Sequence, residues 1–139
     1  MIENKCVITN LKRILHNDGD LIKGLKNSDK KFINFGESYY SWIISGKIKA
    51  WRSHKKITNN LVIVNGSINL NIIREDGISE SIIVESQQPQ LITIFPNTWY
   101  GFEAISSCDA LIHNITDYEY NEDEILRMDL DAFEGVWKK

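Results

Sequence analysis

The chain has 139 residues, of which 42% are hydrophobic and 25% charged, and its formal net charge is −3. Such values are ordinary for a globular protein. We expect one domain over residues 1–139, with a hydrophobic core that needs no disulfide bond or metal ion to stabilise it. The acidic balance and the lack of a basic tail argue against a nucleic-acid binder. The N-terminal segment is too polar for a signal peptide, and no apolar run approaches about 18 residues. We therefore expect a cytoplasmic protein with no membrane span.

The first half of the chain carries mostly β-strand signals. TNLKRIL, near the N-terminus, fits either a strand or a single helical turn. FINF (32–35), SYYSWII (38–44) and KIKAWRSH (47–54) are rich in aromatic and β-branched residues, which are typical of strands. In LVIVNGSINLNII (61–73) two strand-like runs flank Asn65-Gly66, and this dipeptide predicts a type I′ hairpin turn. The second run alternates buried-type isoleucine and leucine with serine and asparagine, so one face is expected to be buried.

The second half continues this pattern and then changes. Further strands are predicted at SIIVE (81–85), QLITIF (90–95), WYGFEAI (99–105) and DALIHNI (109–115). Near the C-terminus, Asn121 with Glu124 three residues later resembles a capping box, which predicts a short C-terminal helix. About seven to nine short strands with one terminal helix indicate an all-β antiparallel sandwich or barrel.

One stretch, IKAWRSHKKITNN (48–60), concentrates cations: it holds four of them and a histidine, and no acid. Because side chains alternate along a strand, Arg52 and His54 are expected on one face, about 7 Å apart. Lys49 and Trp51 are expected on the other face. A positive and titratable pair inside a barrel predicts a site for an anionic ligand.

The stretch FGESYYSWIISGKIKAWRSHKKITNNLVIVNGSINLNII resembles the core of the cupin-type sugar-nucleotide epimerases, the dTDP-4-dehydrorhamnose 3,5-epimerase family. IFPNTWYGFEAISSCDALIHNITDYEYNEDE is similar to a later part of the same family, and LKRILHNDGDLIKGL is similar, more weakly, to its opening. The length and the C-terminal EYNEDEILRMDLDAF also resemble the related sugar 3,4-ketoisomerases. The resemblance implies a cupin jelly-roll β-barrel, usually a homodimer, that binds a dTDP-linked sugar and uses no metal or cofactor. It further implies an isomerase that removes a proton α to the ketone of a 4-keto-6-deoxyhexose in cell-surface polysaccharide synthesis.

The sequence departs from these relatives at several functional positions. Arg52 stands where the epimerases carry their catalytic histidine, and a guanidinium stays protonated and cannot act as a base. Of the two histidines of the ketoisomerases only the second remains, as His54. The family arginine before the first glycine is Asp18 here, and the family His-Gly-Phe is Tyr100-Gly101-Phe102.

The resemblance and the chemistry together suggest roles for individual residues. His54 is the best remaining base, Arg52 would stabilise an enolate oxygen, and Tyr118, in Thr116-Asp117-Tyr118, matches the family's general acid. Lys49 or Lys56 would hold the diphosphate. Four aromatic residues could stack on the nucleobase or the sugar, or could instead pack in the core or at a dimer interface: Tyr39, Tyr40, Trp51 and Trp99. Tyr100 is also expected to contact the substrate. A metallo-cupin is rejected, because Arg52 and Tyr100 occupy two of the expected ligand positions and a cation would repel a metal ion.

Other interpretations remain open at this point. His54 could be hydrogen-bonded inside the barrel without a catalytic role, and Arg52 could be the ion-pair partner of Glu37 or Glu103. The chain could then be a non-catalytic cupin that binds a sugar nucleotide but has lost its base. It could also bind a different small anion. Proton exchange from heavy water separates the enzyme from the binders.

Overall fold

The computed structural model describes residue 2 and residues 4–137. Within them the chain forms twelve β-strands and two single 3-10 turns, Glu122–Glu124 and Leu130–Ala132. The strands are β1 (Cys6–Asn10), β2 (Arg13–Ile14), β3 (Leu21–Ile22), β4 (Glu37–Ile43), β5 (Ile48–His54), β6 (Asn59–Asn65), β7 (Ser67–Ile73), β8 (Ser79–Glu85), β9 (Gln90–Ile94), β10 (Tyr100–Ala104), β11 (Ala110–Thr116) and β12 (Ile125–Arg127). No helix in the described part of the chain is long and apolar enough to cross a membrane.

Ten of these strands form two five-stranded antiparallel sheets, in the orders β1-β9-β6-β11-β4 and β12-β5-β10-β7-β8. The chain passes repeatedly from one sheet to the other, which is the connectivity of a jelly-roll barrel. The core lies between the two inner faces; from β7, for example, Ile68, Leu70 and Ile72 are fully buried there. This confirms the all-β jelly-roll prediction and the predicted inward face of β7.

Asn65-Gly66 does not form the predicted hairpin. β6 pairs with β9 and β11, whereas β7 pairs with β8 and β10, so the dipeptide is a corner between the two sheets. Gly66 has φ +76°, and a Cβ there would lie 2.8 Å from the Oγ of Ser106. The side chain of Asn65 donates to the carbonyl of Asp109 at 3.0 Å. Asn65 and Gly66 therefore form a turn, as predicted. The turn connects a strand of one sheet to a strand of the other, instead of joining two paired strands.

The predicted C-terminal helix is also replaced. Asn121 does cap a turn, its side chain accepting from the N–H of Asp123, but the turn is a single 3-10 turn. The chain then continues as β12, which pairs along the edge of β5. Two backbone bonds between Trp51 and Met128, each 3.2 Å, extend that pairing. An uncovered edge of β5 would leave its backbone unpaired, so the segment after Glu124 is used as a strand. FINF (32–35), predicted as a strand, has no regular structure.

A bulge in β5 positions the site. Tyr100 of β10 faces Arg52, but Phe102 faces Lys49, so two residues of β5 oppose the single Gly101. A bulge of this kind shifts the alternation of side chains by one position. Lys49, predicted on the opposite face from Arg52, consequently lines the same pocket as Arg52.

Candidate active site

A pocket of about 380 Å³ lies between the two sheets. Its lining residues are Tyr39, Ser41, Lys49, Ala50, Trp51, Arg52, Leu61, Tyr100, Phe102, Ile112, Asn114, Arg127 and Met128. Three of them are cations and none carries a carboxylate. The pocket is therefore positive although the chain as a whole is acidic, and it suits an anionic ligand.

Arg52 projects from the bulged strand into this pocket, opposite Tyr100. Neither Glu37 nor Glu103 neutralises it: Arg52 forms no salt bridge within residues 2 and 4–137. A half-buried guanidinium without a carboxylate partner is costly to keep in an apolar barrel. The arrangement therefore favours Arg52 as an anion-binding group over the structural interpretation.

His54, two residues further along β5, is only 5% exposed and is paired with the equally buried Glu124. Its Nδ1 atom hydrogen-bonds the Oε1 of Glu124, and the backbone N–H groups of Lys56 and Ile57 donate to Oε2 at 3.3 and 3.4 Å. Burial raises the pKa of Glu124, but these hydrogen bonds outweigh it and leave the pKa below its ordinary value. Glu124 is therefore a carboxylate, and Nδ1 of His54 carries the proton that it accepts.

The other ring nitrogen of His54 faces Tyr100. Nε2 lies 3.1 Å from the Tyr100 hydroxyl, and the two rings are nearly parallel at 6.1 Å. Burial lowers the pKa of His54 despite Glu124, so the ring is neutral and Nε2 accepts the Tyr100 proton. Burial also raises the pKa of Tyr100, which the nearby Arg52 partly opposes. Glu124, His54 and Tyr100 thus form one hydrogen-bonded chain, and of the three only Tyr100 lines the pocket.

The wall opposite Tyr100 is a second polar cluster. Asn114 of β11 donates from Nδ2 to the hydroxyl of Tyr39 at 2.7 Å and to Oδ1 of Asn59 at 2.8 Å. Its own Oδ1 is buried and has no partner within the described residues. The sequence analysis missed Asn114, although its inward position follows from the alternation in DALIHNI.

Two charged residues near the mouth were also missed. Arg127 of β12 lines the pocket and forms a two-pronged ion pair with Glu122, whose carboxylate also accepts from the hydroxyl of Tyr120. The ion pair is exposed, so a stronger anion can compete for Arg127.

Several predicted site residues lie elsewhere. Tyr118 is 44% exposed and its ring contacts the Nζ of Lys56, 4.5 Å from the ring centroid. Tyr40 is 63% exposed and stacks on His113. None of Tyr118, Lys56 and Tyr40 lines the pocket. The end of β11 carries Tyr118 past this pocket, and alternation turns Tyr40 outward, so a contact of these residues with a substrate stays a prediction.

The two predicted tryptophans pack against the C-terminal segment. The ring of Trp51, 1% exposed, contacts Phe133 and Trp137, and its Nε1 donates to the carbonyl of Leu130 at 3.1 Å. Trp99 contacts Phe133 and does not line the pocket. Trp51 thus lines the pocket while also packing against the C-terminal segment, whereas Trp99 lies outside the pocket.

The fold and the site together define a class: a cupin-type jelly-roll barrel whose interior holds a cationic pocket next to a buried histidine. The family described as FdtA, WxcM-like, C-terminal, matches residues 4–138, and the chain belongs to that family.

The chain is also similar to a probable sugar epimerase and to sugar isomerases of known structure. The chain is 30% identical over 111 residues to a probable low-salt glycan biosynthesis epimerase, Agl13, of Haloferax volcanii, covering 72% of this chain and 71% of that protein. It is similar in structure to a dTDP sugar isomerase of Desulfovibrio desulfuricans G20, with TM-score 0.84 and 28% identity over 91% of this chain and 85% of that one. The 3,4-ketoisomerase QdtA of Thermoanaerobacterium thermosaccharolyticum, solved with TDP-4-keto-6-deoxyglucose, shares the fold at 21% identity and TM-score 0.77, over 92% and 90% of the two chains.

Proposed function

We propose that the chain is an isomerase of a TDP-linked 4-keto-6-deoxyhexose, with 3,4-ketoisomerisation as its reaction, in glycan synthesis. The observation that carries the proposal is the carboxylate-free, three-cation pocket whose wall includes Tyr100, hydrogen-bonded to buried His54. Its family and the sugar-modifying relatives support the same reaction class. A 3,5-epimerase is the alternative within that class.

The pocket matches the parts of such a substrate. Lys49, Arg52 and Arg127 can neutralise a diphosphate, and an arginine can do so with two parallel hydrogen bonds. The aromatic rings of Tyr39 and Phe102 offer a base or a sugar an apolar surface. Hydrogens α to the ketone are acidic, and the cation of Arg52 stabilises the enolate that forms when one is removed.

The reaction is tested by incubating the chain with TDP-4-keto-6-deoxyglucose in heavy water and following the sugar protons by NMR. A ketoisomerase converts the 4-ketone to a 3-ketone and places the mobile hydrogen on C4, whereas an epimerase exchanges hydrogens at C3 or C5 and keeps the ketone at C4. A Lys47→Gln variant, altered at an exposed cation outside the pocket, is the control for general charge effects. Absence of exchange at high protein concentration would contradict the proposal.

A non-catalytic binder is the second candidate, favoured by Arg52 at the position of the family base. It predicts TDP binding without hydrogen exchange. Calorimetry with TDP beside the heavy-water experiment separates the two candidates, and a panel of other anions tests the wider binding alternative.

We also propose that the chain forms a homodimer through the outer face of β4 and its neighbours. Exposed apolar side chains cluster there: Tyr40 is 63% exposed, Trp42 55%, Ile44 62% and Val64 50%. A patch of this kind on an edge strand is typical of a self-association surface. Trp42→Lys should yield a monomer in light scattering, and an unchanged mass would contradict the proposed surface.

A further inference from the structure

The position of His54 raises a mechanistic question. A general base must come within hydrogen-bond reach of the proton that it removes. His54 and Tyr100 are equally buried, each 5% exposed, but His54 is bonded on both ring nitrogens and does not line the pocket, whereas Tyr100 does. Tyr100 lies between His54 and the space that a sugar would occupy.

We propose that Tyr100, rather than His54, exchanges the proton with the sugar, while Glu124 and His54 orient Tyr100 and hold its proton. The inference deepens the proposed function and rests on it. It depends on the order of the contacts. The carboxylate of Glu124 bonds Nδ1 of His54, Nε2 of His54 bonds the hydroxyl of Tyr100, and Tyr100 lines the pocket.

The proton balance requires no further reactant. As the C–H bond next to the ketone breaks, its proton passes to the oxygen of Tyr100 and the phenol proton passes to Nε2 of His54. The electron pair of that bond enters the enolate, whose oxygen carries the negative charge. Glu124 stabilises the imidazolium formed on His54, and Arg52 stabilises the enolate.

The return step reverses the transfer. The imidazolium gives its proton back to Tyr100, and Tyr100 delivers a proton to the adjacent carbon. A hydroxyl proton moves from the oxygen on C3 to the former ketone oxygen on C4, so the ketone ends at C3 with all atoms conserved. One acid–base group on one side of the sugar ring suffices to move the proton between the adjacent carbons C3 and C4. Epimerisation, in contrast, needs a second group on the opposite face of the ring.

The charges around the tyrosine support a concerted transfer. Burial raises the pKa of Tyr100, so a free phenolate is not formed before the sugar reacts, and Arg52 acts in the opposite direction. His54 is neutral at rest because burial lowers its pKa, so Nε2 is free to accept the proton. Glu124 remains a carboxylate through three hydrogen bonds.

The test compares Tyr100→Phe, His54→Gln and the double variant for hydrogen exchange and ketone migration. Tyr100→Phe should lower kcat by about 100-fold or more with a much smaller change in KM. The double variant should be no slower than the slower single variant, because the two residues act as a unit. Thermal unfolding and TDP calorimetry of Tyr100→Phe establish that it folds and binds.

A second measurement detects proton transfer at Tyr100 itself. Replacing Tyr100 with 3-fluorotyrosine lowers the phenol pKa without removing the hydroxyl, and the pH profile of kcat should shift with it. A purely structural role of Tyr100 would leave that profile in place. Tyr100→Phe with kcat within about threefold of wild type, or an unshifted profile, overturns the inference. A wild-type chain that binds TDP but exchanges no hydrogen instead overturns the proposed function.

Discussion

Adding one methyl group at Gly101 should damage both the barrel and the pocket, because Gly101 lies opposite the β5 bulge. A Cβ at position 101 would lie 2.5 Å from the Cβ of Ala50 and 3.0 Å from the ring of Trp137. Carbon atoms normally approach to about 3.5–4.0 Å, so the strand carrying Ala50 would have to move by roughly 1 Å. Such overpacking costs about 1–3 kcal/mol of unfolding free energy.

The same displacement reaches the site, since Lys49 and Arg52 flank the bulge. A shift of about 1 Å in catalytic groups can lower a rate by up to about 100-fold. Urea unfolding and the heavy-water exchange assay measure the two effects on Gly101→Ala. The matched control is Gly24→Ala, whose Cβ would meet only Val62, at 3.9 Å, and which should change stability by no more than about 0.5 kcal/mol.

An Ala50→Gly substitution in the Gly101→Ala background removes the methyl group of Ala50, which is the nearer of the two groups that the new Cβ would meet. It should recover part of the lost stability and rate, and the recovery measures the coupling of positions 50 and 101. Equal stability of Gly101→Ala and the Gly24→Ala control would refute the reasoning about the bulge.

The other predictions concern charge. Glu124→Ala should lower the unfolding free energy by about 3 kcal/mol, since the buried partner of His54 is lost, and chemical denaturation checks it; a loss below about 0.5 kcal/mol would contradict the buried pair. Stability should fall as pH drops below about 6.5, because unfolded His54 takes up a proton there that the folded ring, whose pKa burial lowers, does not. Burial lowers the pKa of His113 as well, so the test is made in a His113→Gln background. Urea titrations compare the pH dependence of the unfolding free energy of His113→Gln with that of the His113→Gln, His54→Gln double variant. The same pH dependence in both would contradict the predicted contribution of His54. Glu122→Gln should tighten TDP binding severalfold by releasing Arg127, and Arg127→Gln should weaken it by about 10-fold, both measured by calorimetry; an unchanged Kd in both would exclude Arg127 from the site.

Much of the barrel could be predicted from local pattern, because strand alternation and turn residues act over short distances. β7 shows this: Ile68, Leu70 and Ile72 are buried as the period-two pattern requires. The corner at Asn65-Gly66 could not be predicted, since a hairpin turn and a change of sheet use the same dipeptide. Which one forms depends on the partners of β6 and β7, more distant in the chain.

The candidate site was less predictable than the fold. The cluster around Arg52 lies on a strand that lines the pocket, but the bulge opposite Gly101 is a tertiary feature, and it alone brings Lys49 to the same side. Glu124 was interpreted as a helix cap, because sequence spacing cannot reveal a contact with His54 seventy residues away. The resemblance implied a catalytic role for Tyr118, whereas the contacts on which the proposal for Tyr100 rests are visible only in three dimensions.

The pairing of β12 with β5 has a consequence for the order in which the protein gains its binding capacity. Arg127 of this last strand and Met128 directly after it belong to the pocket wall. A molecule in which the strand has detached would keep both hydrophobic layers of the barrel yet lack one side of its binding chamber. A bound ligand should therefore slow amide hydrogen exchange at residues 125–128, because it stabilises the state in which the edge strand is paired with β5.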